Sequence, residues 1–115
     1  MQIEIRKKGS ETAILISFDT NTESFKSAYE RNKFFSELHG RKQIVINQSG
    51  RYVYHRPGLM DEIPHIDVDR SVFIVAMEHM KRMEEFFHEW QKNVMFKTFP
   101  VLLSREEAEE LKEEE

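Results

Sequence analysis

Alternating hydrophobic and polar residues near the N-terminus predict a β-hairpin. A two-residue turn at Gly9-Ser10 pairs Ile5 with Ile14 and Ile3 with Ile16. In this register all four isoleucines lie on one face, because successive side chains of a strand point to opposite faces. A shift of one residue would divide them between the two faces, so the register is well specified.

A helix follows this hairpin. Thr20 and Glu23 have the spacing of a capping box, in which a hydroxyl and a carboxylate bond the first backbone N–H groups. Apolar residues then recur at three- and four-residue steps from Phe25 to Leu38. His39-Gly40 supplies the stop, because glycine adopts the left-handed conformation that ends many helices.

The order of hairpin and helix then repeats. Residues 42–47 and 51–56 flank a turn at Ser49-Gly50, with Ile44 and Ile46 on an apolar inner face. A second helix is predicted from about residue 70 to about residue 94. Val72–Val75 also fits a buried strand, but we prefer a helix because the helical periodicity continues after this run.

The predicted fold class is α+β, with a ββα-ββα order, a four-stranded antiparallel sheet and two helices packed on one face. Residues 95–103 form a connector or a short extra strand. Ser104 and Glu107 make a second capping box, which opens a short charged C-terminal helix. We therefore expect one α+β domain over residues 1–103 and an acidic helix or tail over residues 104–115.

Charge is distributed unevenly along the 115 residues. The net charge is −4, yet seven of the 21 carboxylates lie in the last ten residues. Residues 31–60 contain six Lys or Arg and only one acidic residue, Glu37. The acidic total thus conceals a basic middle, which bears on the choice of partner more than on the fold.

The composition narrows the class of protein. The chain has no cysteine, so it has no disulfide framework and no thiolate nucleophile. No apolar run approaches the roughly 20 residues that span a bilayer, and the first residues do not resemble a signal peptide. We expect a cytoplasmic protein without a membrane partner, and abundant Glu and Lys would suit a thermophile. No nucleotide-binding or nucleophile motif is present, so we expect a non-enzymatic binding module without a cofactor.

The second helix supplies the first candidate site. About 25 helical residues span roughly 37 Å, whereas an eight-residue strand spans roughly 26 Å, so the helix should extend beyond the sheet. Its far end is apolar and predicts a homo-oligomer or a docked partner protein, unless residues 95–103 fold back over it. The predicted partner-binding residues are Met83, Phe86, Phe87, Trp90 and Val94.

The outer face of the second hairpin supplies an alternative function. Tyrosines at alternate positions of a strand point to the same side and can stack unpaired bases, while neighbouring cations bind phosphates. The predicted residues for single-stranded nucleic-acid or ribonucleoprotein binding are Arg41, Lys42, Arg51, Tyr52, Tyr54 and Arg56. Tyrosine is also common in ordinary strands, so a merely solvated face is the other interpretation.

A third hypothesis is a metal-dependent hydrolase. His65, Asp67 and Asp69 alternate with apolar residues and would point the same way from an extended segment. Imidazole and carboxylate groups suit a divalent transition metal. Asp67 and Asp69 would equally well cap the second helix.

Overall fold

A computed structural model describes residues 11–112. In this part of the chain, six strands and four α-helices follow one another. In chain order they are β1 (Glu11–Thr20), α1 (Ala28–His39), β2 (Arg41–Asn47), β3 (Gly50–Arg56), α2 (Leu59–Glu62), β4 (His65–Asp69), β5 (Val72–Val75), α3 (Met80–Glu89), β6 (Val94–Leu103) and α4 (Arg105–Glu110). Single 3-10 turns occupy Thr22–Ser24 and Met77–His79.

The described residues divide into two compact units. Residues 11–21 and 64–112 form the first unit, and Thr22–Ile63 forms the second. The predicted single domain over residues 1–103 stays a prediction.

The first unit contains a four-stranded antiparallel sheet in the order β4-β5-β1-β6. β1 lies in the middle, where Ile14 pairs with Val75 on one side and with Pro100 on the other. The α+β class and the four-stranded antiparallel sheet are therefore confirmed.

Helices of the first unit cover both faces of this sheet. On one face, the Phe87 ring of α3 lies 5.5 Å from that of Phe18 and 4.9 Å from that of Phe96, measured between centroids. On the opposite face, α4 places Ala108 and Leu111 in a buried cluster with Ala13. The predicted charged C-terminal helix is thus confirmed, and its apolar side is part of the core.

The predicted capping box of α4 is also present. The Ser104 hydroxyl accepts a hydrogen bond from the Glu107 N–H at 3.2 Å. In return, a Glu107 carboxylate oxygen accepts from the Ser104 N–H at 2.9 Å. These bonds satisfy two backbone donors that the first turn of a helix leaves without partners.

The second unit consists of α1, the β2–β3 hairpin and α2. Its buried side chains include Phe25, Phe34, Leu38 and Met60. Helix α1 begins later than predicted, because the N-cap is Ser27 rather than Thr20. It ends as predicted at Gly40, whose φ is +82°.

The prediction of a long second helix over residues 70–94 is wrong. Val72–Val75 forms β5, which pairs with both β1 and β4, and α3 has only ten residues. Strand pairing on two sides prevails over the helical periodicity of the segment. A turn signal was present at Asp69, whose side chain accepts a hydrogen bond from the Arg70 N–H at 2.8 Å.

The predicted ββα-ββα order also fails, because α2, β4 and β5 lie between the second hairpin and α3. The second hairpin does not join the four-stranded sheet either, since β2 and β3 form a separate two-stranded sheet. Of the first predicted hairpin, the arm carrying Ile3 and Ile5 lies outside the described residues. Residues 95–103, predicted as a connector or an extra strand, lie in β6, a full member of the sheet.

Helix α3 packs on the sheet of its own unit, whereas α1 belongs to the other unit. Within residues 11–112, no helix combines the length and apolarity that crossing a bilayer requires.

Candidate functional site

The β2–β3 hairpin is the most exposed structured part of the described chain. Every residue of β3 is exposed, and only Gln43 and Val45 of β2 are partly covered. Strands normally bury one face, so a hairpin that exposes large side chains on both faces has surface available for a ligand.

The turn of this hairpin is fixed by polar side chains. Asn47 pairs with Gly50, so Gln48 and Ser49 form the loop rather than the predicted Ser49-Gly50. The Asn47 side-chain oxygen accepts hydrogen bonds from the Ser49 N–H at 2.8 Å and from the Ser49 hydroxyl at 2.6 Å. The predicted turn would pair Ile46 with Val53, whereas the actual register pairs Ile44 with Val53, a difference of two residues. A shift of two leaves every side chain on its predicted face.

One face of the hairpin carries both tyrosines. Tyr52 is 39% exposed and Tyr54 is 47% exposed. Val45 and Gln43 lie opposite them on β2. The Tyr52 hydroxyl donates a hydrogen bond to the Ser49 carbonyl oxygen at 3.2 Å, so this side chain points toward the turn. We call this surface the tyrosine face.

An arginine is held against the tyrosine face. The guanidinium carbon of Arg56 lies 5.7 Å from the centroid of the Tyr54 ring, a cation–π distance. The same guanidinium donates to the side-chain oxygen of Gln43. Arg41 lies directly opposite Arg56 and so shares this face. Two rings and two guanidinium groups are thereby brought together, as the sequence predicts.

The other two predicted cations lie on the opposite face. Lys42 and Arg51 share it with Ile44, Ile46 and Val53. These three apolar residues are 52%, 75% and 52% exposed, respectively. The prediction that Ile44 and Ile46 lie on an inner face is wrong, because neither is buried. We call this surface the isoleucine face.

Close backbone contact fixes the base of the hairpin. A Cβ atom on Gly40 would lie 2.6 Å from the Arg56 carbonyl oxygen, and one on Gly58 would lie 2.7 Å from the Leu38 carbonyl oxygen. Only glycine allows the end of α1 to approach the end of β3 so closely. This contact sets the position of the two arginines relative to α1.

A carboxylate reinforces the same junction. Asp61 of α2 accepts a hydrogen bond from the Gly58 N–H at 2.7 Å, and the Nε2 atom of His55 lies 3.0 Å from the same oxygen. Asp61 therefore connects α2 to the end of β3.

A groove of about 450 Å³ opens beside this junction. Five of its residues lie on one stripe of α1, and three lie at or just after the ends of the hairpin. The lining residues are Tyr29, Asn32, Lys33, Ser36, Glu37, Arg41, Arg56 and Pro57. The groove carries three cations against one carboxylate, and Glu37 lies 4.0 Å from the Lys33 ammonium nitrogen.

Sequence reasoning missed the α1 side of this groove. Positions 29, 32, 33, 36 and 37 have helical spacing, and four of these five residues are polar. That stripe could have been found, although Tyr29 also fits the apolar periodicity that predicts this helix. In the structure Tyr29 is exposed.

The charge of the hairpin is unbalanced. Residues 41–56 contain four Lys or Arg and no Asp or Glu. In the part of the chain that the structure describes, Arg41, Lys42 and Arg51 form no ion pair. An exposed cation without a carboxylate neighbour is available for an anionic ligand.

The predicted partner-binding cluster is largely internal. Met83, Phe87 and Val94 are buried, and Phe86 and Trp90 are partly buried. Ten residues of α3 span about 15 Å, whereas β6 spans about 33 Å, so the helix does not extend beyond the sheet. The predicted overhang is wrong, and Phe87 lies in the core instead.

The predicted metal ligands do not converge. His65 and Asp67 lie side by side in β4, with His65 Nε2 3.4 Å from Asp67 Oδ1, but a register shift follows before Asp69. Asp69 accepts the hydrogen bond of the β4–β5 turn. Among residues 11–112, no group of three His, Asp or Glu side chains could hold a metal ion.

No protein-family model, curated protein or solved structure matches this chain. The function must therefore be inferred from the residues themselves.

Proposed function

We propose that this protein binds single-stranded nucleic acid through the tyrosine face of the β2–β3 hairpin. The observation that carries the proposal is the pair of outward-facing rings, Tyr52 and Tyr54, on a strand end bordered by Arg56 and Arg41. Aromatic rings on an open sheet surface can stack on unpaired bases, whatever their sequence.

The geometry of the rings supports an extended ligand. Tyr52 and Tyr54 are two residues apart on β3, so their Cα atoms lie about 7 Å apart along the strand. Two successive bases could each meet one ring. The Arg56 guanidinium beside Tyr54 would then lie near the phosphate of the base stacked on Tyr54. A hydrogen bond between a guanidinium and a phosphate is stronger than one between neutral groups.

The electrostatics favour a polyanion at this surface. Thr22–Ile63 contains seven Lys or Arg and five Asp or Glu, while the rest of the chain is acidic. A local positive charge on an acidic protein attracts nucleic acid over a short range and is screened by salt. We therefore expect weak binding that decreases steeply as salt is added.

A fluorescence-anisotropy titration with a labelled single-stranded oligonucleotide at low salt tests the proposal. The logarithm of the association constant should fall with the logarithm of salt concentration, with a slope of about −0.7 for each phosphate contacted. The same sequence as a duplex should bind more weakly, because paired bases hide the ring faces. An affinity that does not change with salt concentration, or that is higher for the duplex, contradicts the proposal.

Self-association is a second candidate function, and the isoleucine face favours it. Ile44, Ile46 and Val53 form an exposed apolar surface flanked by Lys42 and Arg51. A second copy of the chain seated on this face would bury these apolar side chains. Light scattering after size exclusion should show a dimer that Ile46→Thr weakens, whereas a monomer at high micromolar concentration contradicts it.

The cytoplasmic location expected from the lack of cysteine stays a prediction. So does the absence of enzymatic activity, since a binding surface of this kind can occur in either class of protein.

A further inference from the structure

Two arginines face each other at the base of the hairpin. Arg41 and Arg56 are direct cross-strand partners. Like charges at such positions destabilise a sheet unless a counter-charge lies between them. In the described part of the chain neither guanidinium forms an ion pair, and Arg56 donates only to the neutral amide of Gln43. The arrangement therefore lacks the anion that would neutralise it.

Two acidic side chains at the groove and its junction, Asp61 and Glu37, have other partners. Asp61 is bound to the Gly58 N–H and contacts His55. Glu37 lies in the groove but is the partner of Lys33. With one carboxylate against three cations, the groove retains a charge of +2.

The remaining lining suits an ester of phosphate. Asn32 and Ser36 add an amide and a hydroxyl donor beside the cations, and Tyr29 presents an exposed ring. A volume of about 450 Å³ is within the range of small-molecule sites. Paired guanidinium groups and an ammonium group match the several oxygens of a dianionic phosphate better than the two of a carboxylate.

We infer that this groove binds a phosphate monoester, with Arg41, Arg56 and Lys33 holding the phosphate and Tyr29 stacking on the attached group. The ester is either the terminal phosphate of the strand on the tyrosine face or a free nucleoside monophosphate. The first source rests on the proposed function, whereas the second does not. Arg41 and Arg56 border both surfaces, so a strand can pass from one to the other.

Matched oligonucleotides test the inference. One carries a terminal phosphate, at either end in separate titrations, and the other has hydroxyl groups at both ends. The phosphorylated strand should bind about 10- to 100-fold more tightly from the favoured end, as one or two additional charged hydrogen bonds allow. A nucleoside monophosphate and inorganic phosphate, titrated alone and followed by NMR, measure the second source.

Two single variants separate the groove from general electrostatics. Lys33→Gln removes a half-exposed groove cation that is remote from the tyrosines in sequence. It should reduce the gain in affinity that the terminal phosphate provides. Lys42→Gln removes the same charge from the isoleucine face. It should reduce the affinity for both oligonucleotides equally, so the gain in affinity from the terminal phosphate should be unchanged.

The outcomes distinguish the two proposals. If the strand binds but its terminal phosphate adds nothing and the monophosphate causes no shifts near the groove, the groove inference is overturned while the tyrosine face stands. If the monophosphate binds and Lys33→Gln weakens this binding, but no strand binds, the groove inference holds and the tyrosine-face proposal falls. If neither ligand binds, both proposals fall.

Discussion

The central strand β1 and the β2–β3 hairpin have similar patterns but different environments. Ile16 of β1 is fully buried, because β1 has a strand on each side and α3 packs on its face. Ile46 of β2 alternates in the same way but is 75% exposed. Alternation thus predicts which residues share a face, while the neighbouring elements decide whether that face is covered.

This difference separates stability from binding. The four-stranded sheet holds aromatic side chains in contact with one another on one side and the apolar side of α4 on the other. The hairpin has neither cover on its strands, and a two-stranded sheet alone is marginally stable. Substitutions in the sheet should therefore reduce stability, and substitutions on the hairpin should change ligand binding.

The largest effect is expected for Phe87→Ala. The Phe87 ring is fully buried against Phe18 and Phe96, so its removal leaves a cavity in the core. We expect a loss of about 3–5 kcal/mol in the free energy of unfolding. Chemical denaturation measures it, and Tyr54→Ala serves as the exposed aromatic control. Similar losses in the free energy of unfolding for the two variants would contradict the proposed difference between the sheet and the hairpin.

A matched pair of threonine substitutions makes the comparison sharper. Ile16→Thr buries a hydroxyl in an apolar site and should cost about 2–4 kcal/mol. Ile46→Thr keeps the branched shape on an exposed strand and should change the free energy of unfolding by less than about 0.5 kcal/mol. Thermal or urea unfolding of both variants checks the difference, and a large loss for Ile46→Thr would mean that the isoleucine face is covered in solution.

Much of the secondary structure could be predicted from the sequence, and the topology could not. The hairpin at residues 41–56, the end of α1 at Gly40 and the capping box at Ser104 depend on local chemistry, and each is present. The pairing of β5 with β1 joins residues that are distant in the sequence. The local pattern alone therefore favours a helix where the structure has β5.

The candidate site was also predictable only in the part that depends on local sequence. The two tyrosines share a face because a strand alternates, which requires no tertiary information. The groove requires α1 to meet the hairpin through Gly40 and Gly58, and their close approach could not be foreseen from either segment alone.

Removing a tyrosine from the tyrosine face should have an intermediate effect on the affinity for a single-stranded oligonucleotide. Tyr52→Ala or Tyr54→Ala removes one stacking surface, which is typically worth about 1–3 kcal/mol for each base. We therefore expect roughly a 5- to 150-fold weaker affinity for a single-stranded oligonucleotide by anisotropy. Val53→Thr, which is nearly isosteric and lies on the opposite face of β3, is the control. An equal loss for Val53→Thr would indicate general damage to the hairpin.

The smallest effect is expected for single cations. Arg51→Gln should leave the unfolding curve unchanged, because Arg51 is exposed and forms no ion pair within the described residues. Because Arg51 lies on the isoleucine face, opposite the tyrosines, the log–log salt slope of oligonucleotide binding should change by less than the roughly 0.7 that one phosphate contact contributes. A slope shallower by about 0.7 would place a phosphate on the isoleucine face and contradict the proposed site.

The most direct test is an NMR titration of the labelled protein with a short single-stranded oligonucleotide at low salt. The account predicts that amide shifts concentrate in residues 41–56 and along the groove side of α1, while amides of β1 and α3 remain in place. Shifts centred on α3 or β6, or no shifts at high oligonucleotide concentration, would contradict the assignment of binding to the exposed hairpin.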